Sequence, residues 1–104
     1  MYEITIADIK AYLSTVGPND FVGMPGVCYD CLVSHALKHK YNKQFCVSPT
    51  VFWVHETPIT AGSENLSQEV AGIVQAFDAI PVSQFNKDVS RKMVEQFIPV
   101  LGEN

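Results

Sequence analysis

Two runs rich in Phe, Val and Trp, separated by a short polar segment, constrain the fold of this chain more than any other feature. The runs QFCV and VFWVHE lie on either side of Ser48, Pro49 and Thr50. β-Branched and aromatic residues favour strands, and a short polar connection favours antiparallel pairing. In the second run both alternating sets of side chains begin with large apolar groups, so both faces of that strand should be covered. The sequence therefore predicts a β-hairpin over about residues 44–56, with other elements packed on it.

Four segments with apolar residues at helical spacing surround the predicted hairpin. A capping box of Thr5 and Asp8 starts the first helix, and Ser63 and Asn86 are the predicted N-caps of the third and fourth. The predicted helices cover about residues 6–16, 27–41, 64–77 and 87–98. Residues 82–85 are predicted to form a short edge strand or a turn. Four helices and a small antiparallel sheet, with room for one or two further short edge strands, predict an α+β fold in one compact domain over residues 1–104.

The segment GPNDFVGMPGV, residues 17–27, interrupts the helical pattern. Its glycines, its prolines and its Asn-Asp pair are typical of a loop. Phe21, Val22 and Met24 give this loop apolar side chains that can attach it to the core, so we expect it to be ordered. Long ordered loops in compact domains often carry function. We therefore expect these three residues to take part in a binding surface.

Charged side chains are scarce in this chain. Asp, Glu, Lys and Arg make up 17% of the residues, with a formal net charge of -4, whereas about 25% is usual for a globular domain. A charge-poor surface leaves room for apolar patches of the kind that bind another protein or a second copy. The acidic balance argues against nucleic acid as a partner, since binding it requires Lys and Arg to neutralise phosphates.

The sequence also suggests a compartment. The N-terminal run MYEITIADIKAYL has no basic leader followed by an apolar segment, and no stretch has the roughly 20 apolar residues that span a bilayer. Three cysteines are an odd number, which is more typical of reduced thiols than of a disulfide framework. These observations predict a cytoplasmic protein with no membrane partner.

The segment CYDCLVSHALKH carries four residues that could bind a metal or act as thiols or bases: Cys28, Cys31, His35 and His39. On one helix they would share a stripe about 80° wide. The first and last would lie about 16 Å apart along the axis, whereas zinc holds its ligands at about 2.0–2.3 Å. One helix cannot bring all four to one ion. A site would need Cys28 and Cys31 on a turn before the helix, with His35 and His39 as an i, i+4 pair, or His55 on the hairpin joining two helical residues. Packing along the margin of a buried face explains the same stripe.

Two thiol chemistries are alternatives to simple packing. The C-x2-C spacing of Cys28 and Cys31 at a helix N-terminus is typical of redox pairs, although Asp30 between them opposes thiolate formation. A cysteine hydrolase would combine one of these thiols with His55 and Glu56 as base and orienting group. The run Asp-Cys-Leu-Val around Cys31 is distantly similar to the Asp-Cys-Ser-Gly opening of one family of cell-wall cysteine peptidases, with Leu and Val in place of Ser and Gly.

Taken together, the sequence predicts a non-catalytic binding domain that contacts another protein or a second copy of itself. It assigns no catalytic residue, no metal and no cofactor. The alternative is a Cys/His site protein, with structural zinc or a reactive thiol at Cys31, His35, His39 and His55. The residues predicted to take part in binding are Phe21, Val22, Met24, Cys31, His35, His39 and His55.

Overall fold

The computed structural model describes residues 2–55 and 62–102, and within these ranges it contains four α-helices and two small antiparallel sheets. The helices are α1 (Ile6–Leu13), α2 (Leu32–Tyr41), α3 (Gln68–Asp78) and α4 (Arg91–Phe97), followed by a 3₁₀ helix, Pro99–Gly102. The strands are β1 (Phe21–Gly23), β2 (Phe45–Val47), β3 (Val51–Val54), β4 (Glu64–Asn65) and β5 (Val89–Ser90). None of the helices in these ranges is long and apolar enough to cross a membrane. The predicted α+β fold is confirmed.

The predicted hairpin forms most of the larger sheet, whose strand order is β2-β3-β4. Cys46 pairs with Trp53 across the hairpin, and the N–H of Ser48 donates to the carbonyl oxygen of Val51 at 2.8 Å to close the turn. Phe52 is buried on one face of β3, while Trp53 is half-buried on the other. The hairpin is therefore confirmed with strands at residues 45–47 and 51–54, and its predicted last residue, at position 56, lies outside the described ranges.

The second sheet pairs β1 with β5, and β1 lies inside the segment that the sequence predicts as a loop. Phe21 pairs with Ser90 and Gly23 with Val89, with an irregular register between the two pairs. A three-residue strand between glycine and proline residues is too short to give an alternating pattern. Residues 82–85 form the turn rather than the edge strand, because Ser83 accepts a hydrogen bond from a backbone N–H within that segment.

Two helices begin four residues later than predicted. Ser67 rather than Ser63 caps α3, because residues 64–65 pair with β3. Ser90 rather than Asn86 caps α4, because the Asn86 side chain accepts a hydrogen bond within its own turn. In both helices the capping hydroxyl accepts a hydrogen bond from a backbone N–H three residues further on. Local strand pairing and turn chemistry therefore displaced both predicted starts.

Helix α2 begins at Leu32 instead of near Val27, whereas its end at Tyr41 is as predicted. Cys31 is the N-cap residue and has an extended backbone. At the other end, Asn42 adopts the left-handed conformation with φ of 57° and stops the helix.

Hydrogen-bonded turns replace the predicted first turns of α2. The N–H of Met24 donates to the carbonyl oxygen of Asp30 at 2.8 Å, which closes a compact segment that we call the 24–30 turn. Gly26 within it has φ of +79°, a value that an α-helix cannot contain. Cys28 therefore lies before the helix, and the predicted single stripe of four Cys and His residues does not form.

Buried apolar side chains from the helices and from both sheets make one contiguous core. Its largest fully buried side chains are Phe45, Phe52 and Phe77, from β2, β3 and α3. Helix α1 adds Ile9 and Leu13 from one face. Each large apolar side chain buried in this way contributes about 1.5–3 kcal/mol to folding. The core therefore fixes α2 and the hairpin against each other.

Gly23 brings β1 into direct backbone contact with the start of α2. A Cβ atom at this position would lie 2.8 Å from the backbone nitrogen of Leu32 and 3.0 Å from the carbonyl oxygen of Asp30. The φ of Gly23 is +152°, a backbone conformation that L residues with a side chain rarely adopt. Glycine alone therefore allows β1 to pack on the first turn of α2.

We predict that Gly23→Ala lowers the free energy of unfolding by about 3 kcal/mol, because it adds both a steric overlap and backbone strain. Gly72→Ala is the matched control, since a Cβ at Gly72 in α3 meets no atom within 4 Å. That control should raise the free energy of unfolding by about 0.5–1 kcal/mol, because Ala favours the helix. Urea unfolding followed by the fluorescence of Trp53 measures both, and equal stabilities of the two variants would contradict the close contact.

The predicted capping box forms at the start of α1 and also ties α1 to α2. The hydroxyl of Thr5 accepts from the N–H of Asp8 at 3.2 Å, and Oδ2 of Asp8 accepts from the N–H of Thr5 at 2.9 Å. Nζ of Lys40, on α2, lies 2.9 Å from the same carboxylate oxygen. Burial raises the pKa of Asp8, but the hydrogen bonds from Lys40 and Thr5 outweigh burial and the net pKa is lowered.

We predict that Asp8→Asn destabilises the fold by about 1 kcal/mol at pH 7. Because the folded pKa of Asp8 lies below its ordinary value of 3.8, the carboxylate stabilises the fold fully above that pH and loses its effect as the pH falls through the folded pKa. The difference in stability between wild type and Asp8→Asn should therefore shrink below pH 3.8. Thermal unfolding from pH 7 to pH 2 measures this, and a constant difference would contradict it.

Candidate functional site

Apart from Cys31, which lies in the core, the cysteine and histidine side chains fall into two groups. One group, which we call the thiol cluster, consists of Cys28, Cys46 and His55. The other group, which we call the aromatic patch, consists of four rings joined by the contacts of Tyr12 and His35. The rings of the aromatic patch are Tyr12, Phe21, His35 and His39.

The hairpin register places two members of the thiol cluster on one face. Cys46 pairs with Trp53, and the N–H of His55 donates to the carbonyl oxygen of Gln44 at 2.8 Å. Cys46 and His55 are thus diagonal neighbours on the same side of two antiparallel strands. Sγ of Cys46 lies 3.1 Å from Nδ1 of His55. The exposed ring of Tyr29 packs against His55, with 5.4 Å between ring centroids.

Cys28 completes the thiol cluster from the 24–30 turn. Its carbonyl oxygen accepts a hydrogen bond of 2.8 Å from the N–H of Val47, so the turn lies along β2. Burial is the largest cause that raises the pKa of Cys46 to about 11, and the neighbouring Cys28 thiol is the next. Cys46 therefore keeps its proton at neutral pH, and its Sγ lies within hydrogen-bond distance of Nδ1 of His55. Cys46 is 5% exposed, whereas Cys28 is exposed.

A cleft of about 270 Å³ opens next to the thiol cluster. Cys28, Val47 and Asp78 are among its lining residues, together with Cys31. The carboxylate of Asp78 accepts a hydrogen bond of 3.0 Å from the N–H of Gly26, which fixes α3 to the 24–30 turn. Small solutes can therefore reach the Cys28 side of the thiol cluster from this cleft.

Cys31 is a core residue at the N-cap of α2. It is 4% exposed, and burial raises the pKa of its thiol to about 11. A thiolate is the nucleophilic form of cysteine. The helix dipole thus does not activate this thiol, in contrast to the redox and hydrolase alternatives that the sequence suggested.

The aromatic patch lies on α1, β1 and α2. The ring of Tyr12 stacks on His35 with centroids 6.2 Å apart and contacts His39 at 5.8 Å. The ring of Phe21 meets His35 edge-on at 5.5 Å and remains 40% exposed. Nε2 of His35 and Oδ1 of Asp30 are 2.6 Å apart, which holds the imidazole in place. His39 is exposed at the rim.

Carboxylates give the patch a negative electrostatic environment. Burial is the largest cause that raises the pKa of Tyr12, and the negative charges of Asp30 and then of Asp20 are the next. Both carboxylates therefore lie within electrostatic range of the Tyr12 hydroxyl. The N–H of Gly17 donates to Oδ2 of Asp20 at 2.7 Å, so this carboxylate has a fixed position.

The remaining loop residues predicted for binding have different surroundings. Val22 is 0% exposed and belongs to the core, so its side chain holds β1 in place and does not face a partner. Met24 is half-buried, and its N–H closes the 24–30 turn. Phe21 is thus the loop residue whose side chain combines exposure with membership of the aromatic patch.

The structure does not bring together the four residues of the predicted metal or thiol site. Cys31 lies in the core, His35 and His39 belong to the aromatic patch, and His55 belongs to the thiol cluster. Among residues 2–55 and 62–102, no three His, Cys, Asp or Glu side chains are placed to hold a metal ion. Glu56, the predicted third member of a hydrolase site, lies outside these ranges.

Two site residues, Cys46 and Tyr12, were missed in the sequence. The signal for Cys46 was the hairpin itself, because its register puts Cys46 and His55 on one face. The signal for Tyr12 was weaker, since its contact with His35 depends on how α1 packs against α2.

Comparisons with protein-family models, with curated proteins and with solved structures find no match for this chain. The geometry of these two groups therefore carries the functional argument.

We predict that iodoacetamide at pH 8 modifies Cys28 rapidly while Cys31 and Cys46 stay protected. The two buried thiols have pKa values of about 11 instead of 9.0, which lowers their thiolate population at this pH about 100-fold. Peptide mapping by mass spectrometry after timed quenching measures each position. In denaturant the three cysteines should react alike, and equally fast reaction of Cys46 and Cys28 in the folded chain would contradict the prediction.

Proposed function

We propose that this domain is a non-catalytic binding module that holds a partner protein against the aromatic patch. The observation that supports the proposal most directly is the exposed ring of Phe21, 40% accessible and fixed edge-on against His35. An aromatic side chain that is held in place before binding loses little conformational entropy when a partner covers it. Aromatic residues are also enriched among those that dominate binding energies.

The charges around the patch favour one kind of partner. Asp20 and Asp30 lie near Tyr12, and the whole chain carries a formal net charge of -4. A second copy bound through the same patch would bring these carboxylates together with their symmetry mates. We therefore propose a partner segment that combines Arg or Lys with apolar side chains. Such a segment would place its cations near the carboxylates and over the rings.

The chemistry of the patch supports binding rather than catalysis. The raised pKa of Tyr12 keeps its hydroxyl protonated at neutral pH. The short contact between His35 and Asp30 occupies Nε2 of the imidazole. The three cysteines are free thiols, which supports the proposal that the protein works in a reducing compartment such as the cytoplasm.

We predict that Phe21→Asp weakens partner binding at least about 10-fold, because it removes the ring and adds a third carboxylate. Phe85→Asp is the matched control, since Phe85 is 91% exposed and is not one of the rings of the aromatic patch. The tagged full chain and both variants are used for affinity capture from cells that produce the protein. Captured proteins are then purified and titrated against each form at low and high salt.

The expected result is a protein that binds wild type and Phe85→Asp, binds Phe21→Asp weakly, and binds less tightly as salt increases. Equal binding of the purified partner to all three forms would contradict the role of the patch. Sedimentation at high micromolar concentration tests whether a second copy of the chain covers the aromatic patch instead. A wild-type dimer that Phe21→Asp converts to monomer would show that a second copy, not a basic partner, covers the patch.

A further inference from the structure

The thiol cluster is independent of the aromatic patch and indicates a chemistry of its own. We infer that Cys28 and Cys46 are a redox-active pair that a hydroperoxide oxidises to a disulfide, with His55 as the proton acceptor. Cys28 reacts first with the oxidant, and Cys46 then forms the disulfide with it. The site thus takes small peroxides as its oxidising substrate.

Access and burial distinguish the roles of the two sulfurs. Cys28 is exposed and lines the cleft of about 270 Å³, so a small peroxide can reach it. Cys46 is 5% exposed, and its Sγ lies 3.1 Å from Nδ1 of His55. An exposed thiol next to a second, resolving thiol is the usual arrangement of cysteines that are oxidised reversibly.

The backbone already brings the two cysteines together. The hydrogen bond from the N–H of Val47 to the carbonyl oxygen of Cys28 fixes the 24–30 turn along β2, one residue from Cys46. The Cys28 thiol is also among the neighbours that raise the pKa of Cys46, after burial. The hydrogen bond from Val47 holds the backbone of Cys28 beside β2, and a disulfide needs such proximity because its Cα atoms lie about 4.4–6.8 Å apart.

The reaction balances in two steps. In the first, Sγ of Cys28 attacks one oxygen of the hydroperoxide, the O–O bond breaks, and Cys28 becomes a sulfenic acid while an alcohol leaves with the thiol proton. In the second, Sγ of Cys46 attacks Sγ of Cys28, the S–O bond breaks, and the oxygen leaves as water. The proton of Cys46 passes to Nδ1 of His55 and then to the departing oxygen. Two thiols are oxidised and one peroxide is reduced to alcohol and water.

His55 is needed in the second step because Cys46 is protonated when that step begins. The imidazole nitrogen lies 3.1 Å from the sulfur, within the reach of direct proton transfer. The alternative C-x2-C pair lacks this arrangement, because the sulfur beside Nδ1 of His55 is that of Cys46 and not that of Cys31. The pair therefore forms between Cys28 and Cys46 rather than between Cys28 and Cys31.

The test treats the reduced full-length chain with one equivalent of hydrogen peroxide and maps the products by mass spectrometry after alkylation. Wild type should lose two of its three thiols and yield a peptide pair linked through Cys28 and Cys46. Cys31→Ala is the matched control and should form the same disulfide, whereas Cys28→Ser should form none. His55→Gln should slow ring closure about 10-fold and accumulate a sulfenic acid that dimedone traps. The fluorescence of Trp53, which pairs with Cys46, follows closure in time.

Three results would overturn the inference: a disulfide between Cys28 and Cys31, three thiols retained in wild type, or oxidation of Cys28 to sulfinic acid without loss of Cys46. An unchanged closure rate in His55→Gln would overturn the role of the imidazole. Because Cys46 is buried, a Cys46→Ala variant is used only after circular dichroism shows that it folds. The peptide map of wild type decides the pairing without it.

Discussion

The close contact between Gly23 and the first turn of α2 is the constraint on which both the aromatic patch and the thiol cluster depend. Because no Cβ is present, β1 lies directly on the backbone of residues 30–32. The other end of the segment is also held, since the N–H of Lys92 in α4 donates to the carbonyl oxygen of Pro18 at 2.9 Å. A stretch with loop composition is thereby built into the core, with the buried side chain of Val22 as its anchor.

The positions of the aromatic patch and of the thiol cluster both follow from this placement of the segment. On one side, β1 presents Phe21 to His35, and Asp30 at the end of the 24–30 turn fixes the imidazole. On the other side, the same turn carries Cys28 along β2 to the thiol of Cys46. The turn thus links the surface that we propose for binding with the thiol pair that we propose for oxidation. A disulfide in the thiol cluster would constrain the turn that also positions Asp30.

The fold was predictable where local chemistry and periodicity agree. The capping box at Thr5 and the hairpin around Trp53 each combine a strong local signal with an apolar pattern, and both form as predicted. The predicted starts of three helices were wrong, because the residues predicted as first helical turns form short strands and turns instead. The thiol cluster depends on a contact between a turn and a strand 18 residues apart, from Cys28 to Cys46. Spacing along one helix could not reveal that contact.

Native-state hydrogen exchange tests most directly whether residues 21–31 are a fixed part of the core. The amide of Met24, bonded to Asp30, and the amide of Val47, bonded to Cys28, report on the two sides of the turn. We expect both amides to exchange within about 10-fold of the slowest amides in α2, because they open only when the core opens. Exchange of these two amides near the rate of an unstructured peptide, while α2 stays protected, would contradict it.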